Sequence, residues 1–479
     1  NATAYTETCA AIANALWNHR MFLLHGHAQY LDMLERIIYN GFLAGVALSG
    51  DQFFYPNPLE ADGKRRFNHG GATRQPWFGC ACCPVNVVRF IPSLAGYVYA
   101  TQGESLYVNL YVAGAAEVKL GGQTVKLTQQ TRYPWEGAVK LTVEPSRKAA
   151  FTLKLRIPGW AQGKPVPSDL YRYLDAAAPP VTLKVNGQPV ALGLKDGFAE
   201  IVRDWQSGDT VELVLPMPIR RVAAHEAVKD DVGRVALERG PIVYCVEGAD
   251  HDGHVLNLVL PDDAKLTAEH RADLLGGVTA LRGMALAARK DTQGNVTTQP
   301  MALTAIPYYA WCHRGENEMA VWLPRSLEHA KPLAPPTIAS ESKPSASHCW
   351  PVDSLSALND EVEPQNSNDH SIPRFTWWDH RGTAEWAQYD FKQPTSVSSL
   401  AVYWFDDTGR GQCRVPQGWK VLCREADAWK PVEGSSGCGV ARDQYNRVTF
   451  RAVTTAALRL EVQLQPTFSG GILEWRVGE

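Results

Sequence analysis

The chain has 479 residues and a mass of 52.8 kDa, a length that corresponds to roughly three or four domains. Hydrophobic residues make up 45% and charged residues 20%, which excludes wholesale disorder. Forty-seven Lys and Arg against 50 Asp and Glu give a net charge of −3, so no basic excess points to nucleic acid, and no apolar run approaches the roughly 18 residues of a membrane span.

The sequence opens Asn1-Ala2-Thr3-Ala4-Tyr5-Thr6-Glu7, without an initiator Met or a basic-then-apolar leader. It reads as an interior position of a longer chain, with the first domain incomplete. Apolar residues at three- and four-residue spacing (Ile12, Leu16, Phe22, then Leu31, Leu34, Ile37, Ile38, Phe42) predict long helices over 7–23 and 27–48. A third helix is expected over Pro84–Gln102, with Pro84 in its first turn. Residues 49–77 between them are irregular and rich in Gly, Pro, Asn and aromatics, the kind of long loop that carries function.

After residue 102 the period changes to two. Leu106–Val112, Phe151–Ile157 and Val211–Leu215 read as strands, and Val181–Val185 followed by Asn186-Gly187 is a hairpin signal. These predict an antiparallel sandwich over 103–218. A second sandwich is expected over 219–330, interrupted by a helical or loop insertion near 264–290. The Pro- and Ser-rich stretch 331–347 reads as a linker. Residues 348–479 form a last block, with strands at Trp386–Phe391, Ser399–Trp404, Gly418–Leu422, Leu458–Val462 and Gly471–Trp475. Its aromatic residues suit a sandwich core or a sugar-stacking surface, and Trp377, Trp378, Trp404 and Phe405 are the candidates for the latter.

Ten cysteines are present, and six are scattered through strands and loops as small core residues. A disulfide among Cys413, Cys423 and Cys438 is conceivable without being indicated. The other four differ. Cys80-Ala81-Cys82-Cys83 packs three thiols into four residues just before a Pro-started helix, whose N-terminus lowers thiol pKa values. Three such thiols require a metal or an oxidant. Zinc prefers thiolate sulfur completed by a carboxylate oxygen or an imidazole. Glu7-Thr8-Cys9 offers one more carboxylate and thiol, at a spacing that suits an irregular helix start. Three readings stay open on spacing alone: a catalytic zinc, a zinc that staples the loop, and a redox pair Cys80–Cys83. His25 and His27 lie between two predicted helices and read as loop or capping residues.

These motifs carry a resemblance. Tyr5-Thr6-Glu7-Thr8-Cys9-Ala10 followed by Phe78-Gly79-Cys80-Ala81-Cys82-Cys83-Pro84 resembles glycoside hydrolase family 127, the β-L-arabinofuranosidases, and its neighbour family 146. Tyr39–Gly41, Phe53–Leu59, Leu237–Tyr244 and Ile306–Trp311 fit the same pattern, in order, over residues 1–330. The resemblance implies a multidomain α and β fold: the C-terminal part of an (α/α)6 barrel (1–102), two β-sandwich domains (103–218 and 219–330), and a linker. It implies zinc held by Glu7, Cys9, Cys82 and Cys83, with Cys82 as the nucleophile of a retaining glycosidase and Tyr55 beside it. Cys80 matches no ligand. The family's acid/base Glu precedes the metal-binding Glu, so the resemblance implies an N-terminal part of the same enzyme that completes the barrel, and no turnover by these 479 residues alone. Residues 348–479 resemble a discoidin-like (F5/8 type C) sandwich through Trp386–Phe391, Pro416–Val421, Leu458–Leu460 and Gly471–Trp475. The expected substrate is a plant-derived glycan bearing β-L-arabinofuranose. The alternative is a carbohydrate-binding or scaffold protein with a structural zinc site.

Overall fold

The structure, a computed structural model, describes residues 4–175 and 178–478. Residues 1–3 of the first expected block therefore lie outside the described residues. Two compact units are present, one of residues 1–63 and 73–333, the other of residues 64–72 and 334–479.

The first unit begins with helix α1 (Thr8–His25), which buries Ile12, Ala15 and Phe22 at helical spacing. Gly26 ends it in the left-handed conformation (φ 72°), its N–H donating to Phe22 O. His27 then precedes helix α2 (Ala28–Arg36). The second expected helix does not run on to residue 48. It loosens into a π segment at Ile37–Phe42 and a 3₁₀ turn at Leu43–Gly45. The Asn40 amide accounts for the change: its Nδ2 donates to Arg36 O and Pro241 O, and its Oδ1 accepts from Val243 N. Helix α3 (Cys82–Phe90) starts two residues before Pro84 and passes into a 3₁₀ stretch, Ile91–Tyr97. Residues Tyr99–Gln102, expected as helix, form a strand paired with Ser105–Val108 across Gly103 (φ 57°).

Two sheets follow. One runs in the order Gln188–Pro189, Thr182–Val185, Asp209–Val214, Ala138–Pro145, Gln123–Thr131, Gly114–Leu120, and the other in the order Leu194–Lys195, Phe198–Trp205, Ala149–Arg156, Ser105–Val108, Tyr99–Gln102. Alternate residues such as Val125, Leu127, Leu141, Val143, Leu153, Leu155, Val211 and Leu213 fill one shared core. The pairing is not wholly antiparallel as expected, because Ser105–Val108 lies parallel to Ala149–Arg156.

The strands of 219–324 pair continuously into one eleven-stranded sheet rather than two separate sheets. That sheet also takes in Tyr171–Tyr173 from the preceding block and Glu60–Asp62 from the long loop. The expected insertion near 264–290 is a hairpin of Thr267–Arg271 and Val278–Lys290. Its outer strand is almost wholly exposed, which hides the apolar signal.

Helix α2 is fastened to the sandwich by a fully buried guanidinium. Arg156 Nη1 donates to Asp32 Oδ1 (2.7 Å), Nη2 to Glu35 Oε1, and Nε to Asn109 O (2.6 Å). Tyr133 Oη and Trp160 Nε1 donate to the same Glu35 carboxylate (2.6 and 3.3 Å).

In the second unit, seven strands surround a core containing Trp377, Trp404, Trp475 and Tyr389. Tyr389 stacks on Trp475 with ring centroids 4.0 Å apart. The two expected strands at 386–391 and 399–404 are one strand, Ala384–Phe405, broken by irregularities between Asp390 and Thr395 and between Val397 and Ser399. The linker reading of 331–347 fails from residue 334 onward. Ile338 and Ala339 pack into this core, and Lys343–Ala346 pairs with the long strand. Trp377, Trp404 and Phe405 are buried and offer no stacking platform, whereas Trp378 is half-buried. All ten cysteines are free thiols, so neither a Cys413/Cys423/Cys438 disulfide nor a Cys80–Cys83 disulfide is formed.

Replacing Arg156 by Ala strands Asp32 and Glu35 without their counter-charge. The expected loss is about 3–5 kcal/mol of stability, read from urea unfolding of the full chain by tryptophan fluorescence.

Candidate metal centre

The centre is built where two helix N-termini meet. Residues 6–8 run antiparallel to residues 55–57, through Thr8 N to Tyr55 O (3.0 Å), Asn57 N to Thr6 O (3.0 Å) and a bridge between Glu7 and Pro56. Glu7 is thus extended (φ −66°, ψ 136°), and Cys9 is the second residue of α1. Thr8 is locked between them. Its Oγ1 donates to Phe54 O (2.8 Å) and accepts from Asn57 Nδ2 (2.8 Å). Gly45 leaves room for it, since a Cβ there would lie 2.5 Å from Thr8 Oγ1. On the other side Ala81 caps α3, which begins with Cys82 and Cys83. Helix N-termini favour negative charge, so both donor pairs sit where carboxylate and thiolate are stabilised.

The four sequence-predicted ligands converge. Donor atoms of Glu7, Cys9, Cys82 and Cys83 all lie within 4.8 Å of one another, a group able to hold a metal ion. Cys9 Sγ is 3.4 Å from Cys82 Sγ, and Cys82 Sγ is 4.0 Å from Cys83 Sγ. Glu7 Oε1 lies 3.7 Å from Cys82 Sγ and 3.8 Å from Cys83 Sγ. Cys83 is buried, Cys9 and Glu7 are half-buried, and Cys82 is exposed. The Tyr55 hydroxyl is 2.7 Å from Cys82 Sγ and 3.7 Å from Cys80 Sγ. Cys80 itself is exposed and stands outside the donor set.

The expectation of uniformly low thiol pKa values is corrected. Burial pushes Cys83 and Cys9 up, whereas Cys80 is lowered, chiefly by the Tyr55 hydroxyl. The hydrogen bond to Cys82 raises Tyr55. For Cys9 and Cys83 burial outweighs the helix-end attraction.

Three residues that sequence reasoning missed hold the site. Asn86, one turn into α3, donates from Nδ2 to Cys9 Sγ (3.1 Å). Asn57 ties the two backbones, its Nδ2 also donating to Thr6 O (3.1 Å). Arg74 anchors the Tyr55 loop. Its Nε and Nη2 donate to Ala44 O (3.2 and 2.9 Å), its Nη1 to Trp311 O (2.7 Å) and its Nη2 also to Tyr309 O (3.1 Å). It lies over Phe54, 4.3 Å from the ring centroid, and Phe54 stacks on Trp311. Burial lowers Arg74 to about 10. The Ile306–Trp311 motif therefore serves the centre by holding this loop. His25 and His27 stay apart, His25 closing α1 and His27 preceding α2.

Comparison with known proteins finds similarity over residues 1–324. Residues 1–96 match the "Beta-L-arabinofuranosidase, GH127 catalytic domain", 105–217 the GH127 middle domain, and 219–324 the glycoside hydrolase family 127 C-terminal domain. A non-reducing end beta-L-arabinofuranosidase of Bifidobacterium longum subsp. longum is 34% identical over 346 residues, covering 67% of this chain and 49% of that protein. A solved GH127 beta-arabinofuranosidase superimposes with TM-score 0.67 at 47% identity, over 70% of this chain and 51% of that one. Another, from Geobacillus stearothermophilus T6, gives TM-score 0.62 at 42% identity, over 68% and 50%. The chain thus spans about half the length of these relatives.

Cys9, Cys82 and Cys83 can ligate a cation only as thiolates, so binding expels thiol protons, and burial of Cys9 and Cys83 works against that release. Affinity is expected to rise with pH between about 6 and 8, with roughly three protons released per ion, one from each ligating thiol, by titration calorimetry in buffers of different ionisation enthalpy. Asn86→Ala is expected to weaken binding by about tenfold.

Proposed function

This chain belongs to glycoside hydrolase family 127, and we propose that it carries the nucleophile and metal half of a retaining glycosidase centre that releases β-L-arabinofuranose from plant-derived glycans. The observation that carries the reading is Cys82: a thiol inside the four-donor cluster that also meets a hydroxyl outside it, with the Tyr55 oxygen 2.7 Å from its sulfur. In the same reading α1–α3 belong to an (α/α)6 barrel, and 348–479 is a discoidin-like domain.

Zinc is the ion whose chemistry suits the donors. A tetrahedron with Zn–S bonds of about 2.3 Å has S···S edges of about 3.8 Å. The sulfur separations of 3.4 and 4.0 Å bracket that value. Glu7, Cys9, Cys82 and Cys83 would hold it, and the bound ion supplies one thing, a thiolate kept deprotonated at neutral pH.

The protein groups do the rest. Cys82 Sγ attacks the anomeric carbon of the furanose, the bond to the leaving oxygen breaks, and a thioglycoside forms. The Tyr55 O–H, directed at Cys82 Sγ, orients the sulfur and steadies its charge as it leaves again. A proton donor on the leaving-group side completes the reaction, and the resemblance places it ahead of Glu7. Water then hydrolyses the thioglycoside with net retention.

The test is brief reaction of the full-length enzyme with an aryl β-L-arabinofuranoside, acid quench and peptide mass mapping. An anhydropentose increment on the Cys82 peptide is expected, and Cys82→Ser should lower kcat by about 10³-fold or more. An adduct on a carboxylate, or a fully active Cys82→Ser enzyme, would overturn the reading.

A further inference from the structure

Cys80 is the feature of this centre that the proposed reaction does not use. It is exposed, outside the donor set, and two residues before Cys82. Ala81 between them has φ −90° and ψ 30°, so the pair leaves a bend rather than a helix. Both sulfurs approach one oxygen, the Tyr55 hydroxyl, at 3.7 and 2.7 Å. Two thiols that meet at one hydroxyl, separated by a single residue at a bend, have the arrangement that an attacking and a resolving thiol need. The buried Cys83 turns away into the donor set, where Glu7 Oε1 lies 3.8 Å from its sulfur.

We propose that Cys80 is a reversible oxidation site that switches this centre off, through a Cys80–Cys82 disulfide that withdraws Cys82 Sγ from the metal donors. The inference rests on the reading of Cys82 as a metal-bound nucleophile. Its oxidant is a hydroperoxide, hydrogen peroxide being the simplest. Cys80 Sγ attacks one peroxide oxygen, the O–O bond breaks, and the departing hydroxide takes a proton to become water. Cys80 is then a sulfenic acid. Cys82 Sγ attacks the Cys80 sulfur, the S–O bond breaks, and the second oxygen leaves as water. In balance, two thiols lose two electrons and two protons, and one peroxide becomes two waters. A dithiol reductant reverses the bond by exchange. Oxidation leaves Glu7, Cys9 and Cys83 as the remaining donors, too few for a closed tetrahedral site.

The test uses the full 479-residue chain loaded with zinc and treated with hydrogen peroxide. Free thiols are then alkylated, peptides are mapped without reduction, and released zinc is read with a chromophoric chelator. A Cys80–Cys82 linkage should appear in step with zinc release, and dithiothreitol with added zinc should restore both. Cys80→Ser and Cys80→Ala should bind zinc like the parent chain and release it about tenfold more slowly at the same peroxide dose. Oxidation confined to Cys9, Cys82 or Cys83 with Cys80 still reduced would overturn the proposal, as would zinc release from both variants at the parent rate. A chain that takes up no zinc would sink the metal reading instead. The peptide map needs no metal, so it still decides whether Cys80 and Cys82 form the bond.

Discussion

Three sulfurs and a carboxylate oxygen within 4.8 Å of one another cannot all be ionised without a cation among them, and most of the first unit serves to hold them there. Two devices do the holding. The strand-like pairing of residues 6–8 with 55–57 fixes Glu7 and Tyr55 relative to each other. The start of α3 brings in Cys82 and Cys83 from the far end of the loop. Because both donor pairs stand at helix N-termini, backbone dipoles favour their charge before any ion binds. Burial of Cys83 and Cys9 opposes that, so thiolate formation there works against burial until a cation offsets it.

The supporting frame extends far in sequence. Arg74 joins the loop that carries Tyr55 to backbone carbonyls 30, 235 and 237 residues away. Arg156 joins α2 to the neighbouring sandwich through two carboxylates. Glu60–Asp62, in the same loop, adds a strand to the eleven-stranded sheet. The β blocks thereby brace the loop that carries Tyr55, through contacts from Ile306–Trp311, and the π segment, through contacts from Leu237–Tyr244. Asn40 illustrates it: one side chain satisfies backbone groups of both the π segment and the strand at Ile242–Glu247.

The thiol cluster was legible in the sequence because its chemistry is rare and its spacing local, while the donor set of Glu7, Cys9, Cys82 and Cys83 came through resemblance. Cys80-Ala81-Cys82-Cys83 and Glu7-Thr8-Cys9 need no partner to announce thiol chemistry, metal or redox. Tyr55 came only through resemblance. Asn57, Arg74 and Asn86 carry no local signal, since an ordinary polar residue becomes important only when a distant backbone arrives beside it. The same holds for the fold. Apolar spacing found α1 and α2, but the helical reading of Tyr99–Gln102 ignored the turn at Gly103, where strand pairing outweighs local preference. The hairpin within 264–290 was missed because Thr267–Arg271 is exposed and shows no alternation. The tail of the expected linker is a strand because its partner, Ala384–Phe405, lies far along the chain.

The central claim is that Glu7, Cys9, Cys82 and Cys83 form one metal centre with Cys82 as its exposed member. Its most direct test is zinc content by elemental mass spectrometry, for the parent chain and for Cys82→Ser, each equilibrated against a competing chelator. The account predicts about one zinc per parent chain and a marked loss from the variant under the same competition. A parent chain that holds no zinc, or a Cys82→Ser chain that holds it equally well, would contradict it.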